Sequence, residues 1–389
     1  MFDSEKHLRQ DLLNFPPYTA SSVAIGDMER VVKLDANENP FGPSPKALAA
    51  LADTRVWNRY ATQDELRPAI ARYVGVDGEH IVVGNGADEV IDLVQRIFLQ
   101  PGDAIVDCPP SFEMYSQYAA INGARLIEVP RREDFSIDVD GIEAVIARDA
   151  SVIASGAKQS SIRELEIALL RSSQPQRPLV AMTGAEHPKI IFVANPNNPD
   201  GGRIPPQEIE RLLALPALIV LDEAYTEFSG GSLVERVPTQ PNLIVLRTFS
   251  KWAGLAGLRI GYCVAPKRIA DQIMRTKSPY NVNAAAIVAA RASLEDAEYL
   301  KENVNRIIAE RGRLVAALAR LDFLQPLPTT TNFILCRVIG RSARELRDAL
   351  AQRGIRIRAF GSHRLLDYIR ISVGTPEQDD ALLRALKEV

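Results

Sequence analysis

The chain has 389 residues, of which 46% are hydrophobic and 24% are charged, the composition of a globular protein with more than one domain. Its formal net charge of −3 gives no basic surface for nucleic acid or an anionic membrane. The three cysteines form no CxxC pair, which argues against a zinc site or disulfide framework and fits a reducing compartment. The N-terminus lacks the apolar run of a signal peptide, and no stretch is long enough to span a bilayer. We therefore expect a cytoplasmic protein without nucleic-acid or membrane partners.

Short apolar runs alternate with helix-period segments through the middle of the chain, the pattern of an α/β layered domain. The predicted strands lie within residues 80–86, 104–110, 124–130, 189–196, 217–225 and 243–250. The segment after the first strand places five apolar side chains on one helical face: Val90, Ile91, Val94, Ile97 and Phe98. Each predicted strand ends in polar or turn residues. In open α/β sheets ligands bind beyond the carboxyl ends of the strands, so we expect the site at that edge.

After about residue 290 the pattern changes to long helices and to strands within 331–338, 354–360 and 368–374. RELRDALAQRG is a predicted helix, and another helix closes the chain. Thr375 is its expected N-cap, Pro376 takes the first helical position and Gln378 completes a capping box. The sequence thus predicts three parts. Residues 1–50 form an N-terminal arm that packs with the small domain. Residues 51–290 form a large domain, and residues 291–389 form a small α+β domain.

Residues 149–186 are longer than the connection that an α/β domain needs at this point. The segment is rich in Ser, Ala and Gln and contains one candidate helix at 161–171. We expect a surface insertion with little fixed structure rather than a functional lid.

The strongest chemical signal is TFSKWAGLAGLRIGY, at residues 248–262. A lone lysine such as Lys251 at a strand end is usually only solvated. Here Ser250 and Arg259 supply a hydroxyl and a guanidinium, the groups that hold a phosphate dianion, and the glycines let backbone pack closely around it. A lysine amine beside a phosphate site is what a Schiff-base cofactor requires.

The second signal is ALIVLDEAYTEF, in which Asp222 emerges from a very apolar strand. A carboxylate is costly to bury there without a partner. Asp222 could pair with a protonated pyridine nitrogen, and Tyr225 could hydrogen-bond the phenolic oxygen of the same ring. The alternatives are a metal ligand or a nucleotide-hydrolysis carboxylate. No GxxxxGK[ST] loop precedes it, which excludes the second of these.

Three further motifs are weak when taken singly. Asn198, in the turn-rich NPNNPDG, could donate to the same phenolic oxygen, although Asn, Pro and Gly are ordinary turn residues. The backbone N–H groups near Ala87 and Asp88, in GNGADE, lie at a helix start, which is a common anion site. Phe112, in PPSFEMY, could stack on a planar ring, although a lone aromatic side chain is more often part of a core.

Together these motifs resemble the fold-type I pyridoxal-phosphate enzymes of the class I/II aminotransferases, and within them most closely the histidinol-phosphate aminotransferases. The resemblance covers residues from about 18 to the C-terminus, apart from the insertion. It rests on motifs in the family's order: LDANENPFG, RYATQDELRPAIA, GNGADEVIDL, PSFEMY, NPNNPDGG, DEAYTEF, TFSKWAGLAGLRIGY and RISVGTPEQ. It implies a large three-layer α/β/α domain with a mixed, mostly parallel sheet, plus a smaller α+β domain. Asp200 departs from the family's usual threonine, and YTAS replaces its usual Pro-Gly after the tyrosine.

The resemblance also implies roles for individual residues, with pyridoxal 5'-phosphate as the cofactor. Lys251 would be the Schiff-base lysine and general acid/base, Asp222 would bind the pyridine nitrogen, and Tyr60 would reach the phosphate of a neighbouring subunit in a homodimer with shared sites. The remaining cofactor contacts would come from Asn198 and Tyr225 at the ring oxygen, Phe112 on the ring face, and Ser250, Arg259, Ala87 and Asp88 at the phosphate. The expected substrate-binding residues are Arg370, Arg358, Tyr18 and Asn37.

The activity that the resemblance implies is amino-group transfer between L-histidinol phosphate and 2-oxoglutarate, in histidine biosynthesis. Histidinol phosphate carries a phosphate and no carboxylate, so a second arginine beside Arg370 would serve either anion. Aromatic amino-acid aminotransferases and threonine-phosphate decarboxylases share much of this motif set and remain alternatives. A non-catalytic regulator is a remote alternative, because such proteins usually carry an added DNA-binding domain and the sequence offers little room for one.

Overall fold

The computed structural model describes residues 4–13, 15, 26, 30–53, 55, 57–155 and 188–389. Tyr18 and the candidate helix at 161–171 lie outside these residues. Within the part of the chain that is described, no helix is both long enough and apolar enough to cross a membrane.

The strands are β1 Val32–Lys33, β2 Ile81–Gly84, β3 Ala104–Asp107, β4 Arg125–Glu128, β5 Ile190–Ala194, β6 Leu218–Asp222, β7 Leu243–Thr248, β8 Gly261–Val264, β9 Leu324–Pro326, β10 Phe333–Val338, β11 Ile355–Arg356, β12 Arg358–Ala359 and β13 Tyr368–Ser372. The helices are α1 Ser4–His7, α2 Pro45–Ala52, α3 Leu66–Val74, α4 Gly86–Phe98, α5 Met114–Ile121, α6 Val139–Ser155, α7 Pro206–Leu213, α8 Thr226–Ser229, α9 Lys267–Thr276, α10 Ala284–Glu295, α11 Ala297–Leu318, α12 Ala343–Gln352 and α13 Pro376–Leu386. Short 3₁₀ turns occur at Gln10–Leu12, Gly78–His80, Val234–Arg236, Ala256–Leu258 and His363–Leu365.

A seven-stranded sheet forms the centre of the fold, in the order β2-β8-β7-β6-β5-β3-β4. β8 is antiparallel to both of its neighbours, and the other pairs are parallel. Parallel strands need both faces covered, and their side chains alternate between two cores. In β6, Ile219 and Leu221 pack into one core, while Leu218 and Val220 pack into the other. The expected three-layer arrangement with a mixed, mostly parallel sheet is therefore confirmed.

A four-stranded antiparallel sheet lies in the C-terminal part of the chain, in the order β12-β13-β10-β9. Along β13 the side chains alternate, so that Ile369 and Ile371 enter a core with helices of this part. Arg370 and Ser372 therefore share the opposite face of the strand. β1, from the N-terminal arm, pairs in parallel with β11, through Val32 with Ile355 and Lys33 with Arg356.

Most of the predicted helices and strands are present. The strands are shorter than the apolar runs of the sequence that predicted them. The capping box at the start of α13 is confirmed, since Thr375 accepts from the Gln378 backbone and the Gln378 side chain accepts from the Thr375 backbone. β1, β8 and β9 were not predicted as strands. α6 extends to Ser155, beyond residue 149, where the insertion was expected to begin.

Candidate active site

Three polar side chains follow the carboxyl ends of three neighbouring strands. Asp222 is the last residue of β6, Asn198 lies four residues after β5, and Lys251 lies three residues after β7. Because β5, β6 and β7 are parallel neighbours, their carboxyl ends meet at the same edge of the sheet. This is the edge at which open α/β sheets bind ligands.

Asp222 is a buried carboxylate that two donors hold in place. The Tyr115 hydroxyl donates to its Oδ2 at 2.6 Å, and the Ala224 backbone N–H donates to its Oδ1 at 2.9 Å. Burial raises the pKa of Asp222, and the bond from Tyr115 opposes that rise. A cationic partner, such as a protonated ring nitrogen, stabilises the ionised form of a buried carboxylate. Tyr115 was not predicted; its position three residues after Phe112, at the start of a helix, was the available signal.

Lys251 is half-buried, and the basicity of its amine is lowered. Its Nζ donates to the backbone oxygen of Ala36 at 3.0 Å. Burial, together with the positive charge of Arg370, lowers the pKa of Lys251 to about 8. A sizeable fraction of the amine is therefore neutral near pH 7.5, which is the form that attacks a carbonyl carbon.

Three of the residues predicted to bind phosphate, Arg259, Ala87 and Asp88, lie around the start of α4. Arg259 has a left-handed backbone, with φ at 54°, and its Nη2 donates to the Asp88 carboxylate at 2.6 Å. A Cβ at Gly261 would lie 2.5 Å from the backbone nitrogen of Ala87, so only glycine fits there. Ser250, two residues after the end of β7, is buried. A guanidinium beside the N-terminal amides of a helix, to which the β8 backbone packs closely at Gly261, suits a phosphate dianion.

Tyr225 and Asn198 are both bonded to residues from distant parts of the chain. The hydroxyl of Tyr225 accepts from Asn37 Nδ2 at 2.9 Å. Asn198 Oδ1 accepts from Arg370 Nη1 at 2.6 Å. The N-terminal arm and β13 therefore reach the edge of the seven-stranded sheet at which Asn198 and Tyr225 lie.

Arg358 and Arg370 are direct partners across two antiparallel strands. They face each other in the register of β12 and β13, so their side chains leave the same face of the sheet. Arg370 also donates to the backbone oxygen of Asp35 at 2.9 Å, and its guanidinium lies 5.3 Å from the centre of the Phe333 ring. Two guanidiniums on one face make this part of the site suitable for an anion.

The two remaining aromatic residues differ in exposure. Phe112 is half-buried and meets the Tyr115 ring edge-on, with 5.7 Å between centroids. Tyr60 is 82% exposed, and its ring stacks on that of Tyr280 at 4.4 Å. Phe112 is thus next to the partner of Asp222, whereas Tyr60 lies at the surface. In the described residues no group of three His, Cys, Asp or Glu side chains could hold a metal ion.

Known proteins resemble this chain over nearly its whole length. The family model for aminotransferase class I and II matches residues 29–386. A protein of Roseiflexus castenholzii named histidinol-phosphate aminotransferase is 46% identical, over 98% of each chain. A chloroplastic protein of that name from Nicotiana plumbaginifolia is 44% identical, over 95% of this chain and 82% of its own. A histidinol-phosphate aminotransferase structure from Sinorhizobium meliloti, in complex with pyridoxal-5'-phosphate, superposes with a TM-score of 0.79 at 29% identity, over 98% and 96% of the two chains. The chain belongs to the class I and II aminotransferases.

Proposed function

We propose that this aminotransferase uses pyridoxal 5'-phosphate to transfer an amino group between L-histidinol phosphate and 2-oxoglutarate, in histidine biosynthesis. The observation that carries the substrate proposal is the pairing of Arg358 with Arg370 on one face of the sheet. Two guanidiniums there can hold the phosphate of one substrate or the carboxylates of the other in turn. The names of the relatives with 38–46% identity support the same substrate.

The cofactor, when bound, supplies an electron sink for the bond that breaks at the substrate Cα. Lys251 would carry it and move the proton, and its lowered pKa keeps the amine available as a base near neutral pH. Asp222 would hold the positive charge of the ring nitrogen, because a buried carboxylate is stabilised by a cationic partner. The other proposed cofactor contacts are Asn198 and Tyr225 at the ring oxygen, Phe112 on the ring face, and Ser250, Arg259, Ala87, Asp88 and the partner's Tyr60 at the phosphate.

The substrate pocket would lie between the two sheets. Arg358 and Arg370 would bind its anionic end, and Asn37 and Tyr18 would complete its wall. A pocket of this kind rejects a substrate that leaves both guanidiniums without an anion, because each would then be desolvated without compensation.

The visible absorption of the cofactor-loaded protein tests this assignment. Adding histidinol phosphate without an oxo acid should bleach the visible band, and 2-oxoglutarate should restore it. Phenylalanine and threonine phosphate are the comparison substrates. A larger response to phenylalanine would favour an aromatic aminotransferase, and release of carbon dioxide from threonine phosphate would favour the decarboxylase. A protein that binds no pyridoxal phosphate would contradict the whole proposal.

A homodimer with shared sites is part of the proposal. Tyr60 and Tyr280 form an exposed aromatic pair, and the nearby Trp57 is 54% exposed, a surface that suits contact with a second copy. Sedimentation should give twice the chain mass. Mixing the inactive variants Lys251→Ala and Tyr60→Ala should restore activity, because a mixed dimer contains one intact site. No recovery after proven subunit exchange would argue against shared sites.

The division of the chain into three parts and its cellular compartment also remain proposals. The seven-stranded sheet lies within residues 51–290 and the four-stranded sheet within 291–389, while β1 of the arm pairs with β11. These facts support a large domain, a small domain and an arm that packs with the small one. The three cysteines are buried and unpaired, which suits a reducing cytoplasm.

A further inference from the structure

A chain of hydrogen bonds runs from β13 to the hydroxyl of Tyr225. It consists of Ser372, Asn37 and Tyr225, which are 3%, 2% and 6% exposed. These residues come from the C-terminal sheet, the N-terminal arm and the turn after β6. The inference below rests on the proposed function, because Tyr225 is there the residue that binds the phenolic oxygen of the cofactor.

The first link determines where the proton of Ser372 lies. The backbone N–H of Asn37 donates to Ser372 Oγ at 2.8 Å, which occupies one acceptor position of the hydroxyl. Ser372 has a single hydroxyl hydrogen, and Asn37 Oδ1 lies 3.2 Å from Oγ as its acceptor. The two residues therefore exchange bonds in both directions.

The second link determines how the Asn37 amide is oriented. Since Oδ1 accepts from Ser372, Nδ2 lies on the other side of the amide, and it donates to the Tyr225 hydroxyl oxygen at 2.9 Å. The backbone of Asn37 is left-handed, with φ at 55°, a conformation that asparagine tolerates better than most residues. Asn332 Nδ2 holds the Asn37 carbonyl at 3.0 Å. Backbone and side chain are thus both fixed.

The third link determines where the hydroxyl of Tyr225 donates its proton. Its oxygen already accepts a hydrogen from Asn37, and an amide N–H cannot receive one in return, so the Tyr225 proton must go to a different acceptor. We propose that Asn37 is a positioning residue that keeps Tyr225 a hydrogen-bond donor toward the cofactor's phenolic oxygen. Ser372 sets the orientation of Asn37, and it lies two residues from Arg370 on the same face of β13. The strand that would bind the substrate anion thereby also supports the donor at the cofactor ring.

A donor at the phenolic oxygen lowers the basicity of that oxygen and of the lysine-linked nitrogen beside it, because it stabilises the deprotonated form. The pH midpoint of the visible absorption change reports this basicity independently of turnover. Asn37→Asp is nearly isosteric and keeps the acceptor for Ser372, but it replaces the Nδ2 donor by an oxygen. The Tyr225 proton can then turn back to residue 37. We expect the midpoint to rise by about one pH unit or more.

We call the hydrogen-bond chain Ser372–Asn37–Tyr225 the relay. Two matched variants separate its effect on the midpoint from a direct effect of the new charge. In a Tyr225→Phe background, Asn37→Asp should shift the midpoint by less than about a third as much, as a double-mutant cycle measures. Equal shifts in both backgrounds would mean that the new charge acts directly, and the relay would be wrong. Ser372→Ala leaves Asn37 intact but frees its amide to rotate, so it should raise the midpoint by a smaller amount.

The outcomes also distinguish this inference from the proposed function. A wild-type protein without a cofactor band would overturn both. A normal band whose midpoint is unchanged in Asn37→Asp would overturn the relay alone. If Asn37→Asp fails to bind the cofactor, the Ser372→Ala measurement decides, because an unchanged midpoint there contradicts the orientation step.

Discussion

Arg247, on β7, is 6% exposed and joins two carboxylates of the segment that carries Asp222 and Tyr225. Its Nε donates to Glu223 at 2.9 Å, and its Nη1 donates to Glu227 at 2.7 Å. These two glutamates lie on either side of Tyr225 in the chain. The substitution Arg247→Met tests these ion pairs, because it removes the guanidinium and keeps much of the side-chain volume.

The magnitude follows from what remains after the substitution. Removing one member of a buried ion pair costs about 3–5 kcal/mol, because the remaining charge is left uncompensated. Glu223 keeps two donors, the Ser232 hydroxyl at 2.6 Å and the Leu233 N–H at 2.8 Å. Burial already raises the pKa of Glu227, so this carboxylate can relieve part of the cost by taking a proton. We therefore expect a loss near the lower limit, about 3 kcal/mol.

Thermal unfolding of the cofactor-loaded protein measures this loss. For a chain of this size, 3 kcal/mol corresponds to a fall in Tm of about 4 °C. The matched control is Arg247→Met with Glu227→Gln, which removes one of the two unpaired charges and should recover about 1 kcal/mol. A single variant within about 1 °C of the wild type at neutral pH would show that the buried ion pairs do not stabilise this segment.

Three other predictions follow from buried groups. In the cofactor-free protein, the rate of cofactor capture by Lys251 should rise with pH and reach half its maximum near pH 8, as stopped-flow absorption would show; a midpoint near 10 would contradict the burial argument. Burial, with Glu310 beside it, raises the pKa of Asp379 to about 8. The native state then holds a proton that the unfolded state has lost, so stability should fall as pH rises from about 4 to 8, and Asp379→Asn should flatten the dependence of Tm on pH in that range. Tyr115→Phe removes a donor from Asp222 and should weaken cofactor binding about tenfold or more in equilibrium titration; unchanged affinity would show that this bond does not matter.

The sequence predicts those parts of the fold that depend on local pattern. The start of α13 is an example, because Thr375 and Gln378 exchange hydrogen bonds within four residues, and Pro376 has no backbone N–H that needs an acceptor at the first helical position. β1 has only two residues and exists through its pairing with residues 355–356, which no local pattern contains. β8 has only four residues and begins with Gly261 at the end of the glycine-rich motif, where the missing side chain weakens the strand pattern.

For the site, the sequence identifies residue types better than their contacts. The resemblance names Asn198, Arg370 and Asn37, but not that the first two bond to each other or that the third bonds to Tyr225. These contacts join residues more than 170 positions apart, and they form only when the N-terminal arm and β13 pack against the turns that follow β5 and β6. Tyr115 was missed for a similar reason, since its hydroxyl reaches Asp222 only after α5 has packed against the sheet.

The pairing of the N-terminal arm with the C-terminal part of the chain has a consequence for folding during translation. All strands of the seven-stranded sheet are present once residue 264 has left the ribosome, so this sheet can begin to fold early. Asn37 has by then been translated, but its partner Ser372 follows about a hundred residues later, which is roughly 5–20 s of synthesis. During this interval the polar turns around Lys251 lack the cover that β13 and the arm later provide. A nascent chain would thus acquire its sheet well before it can acquire a working site.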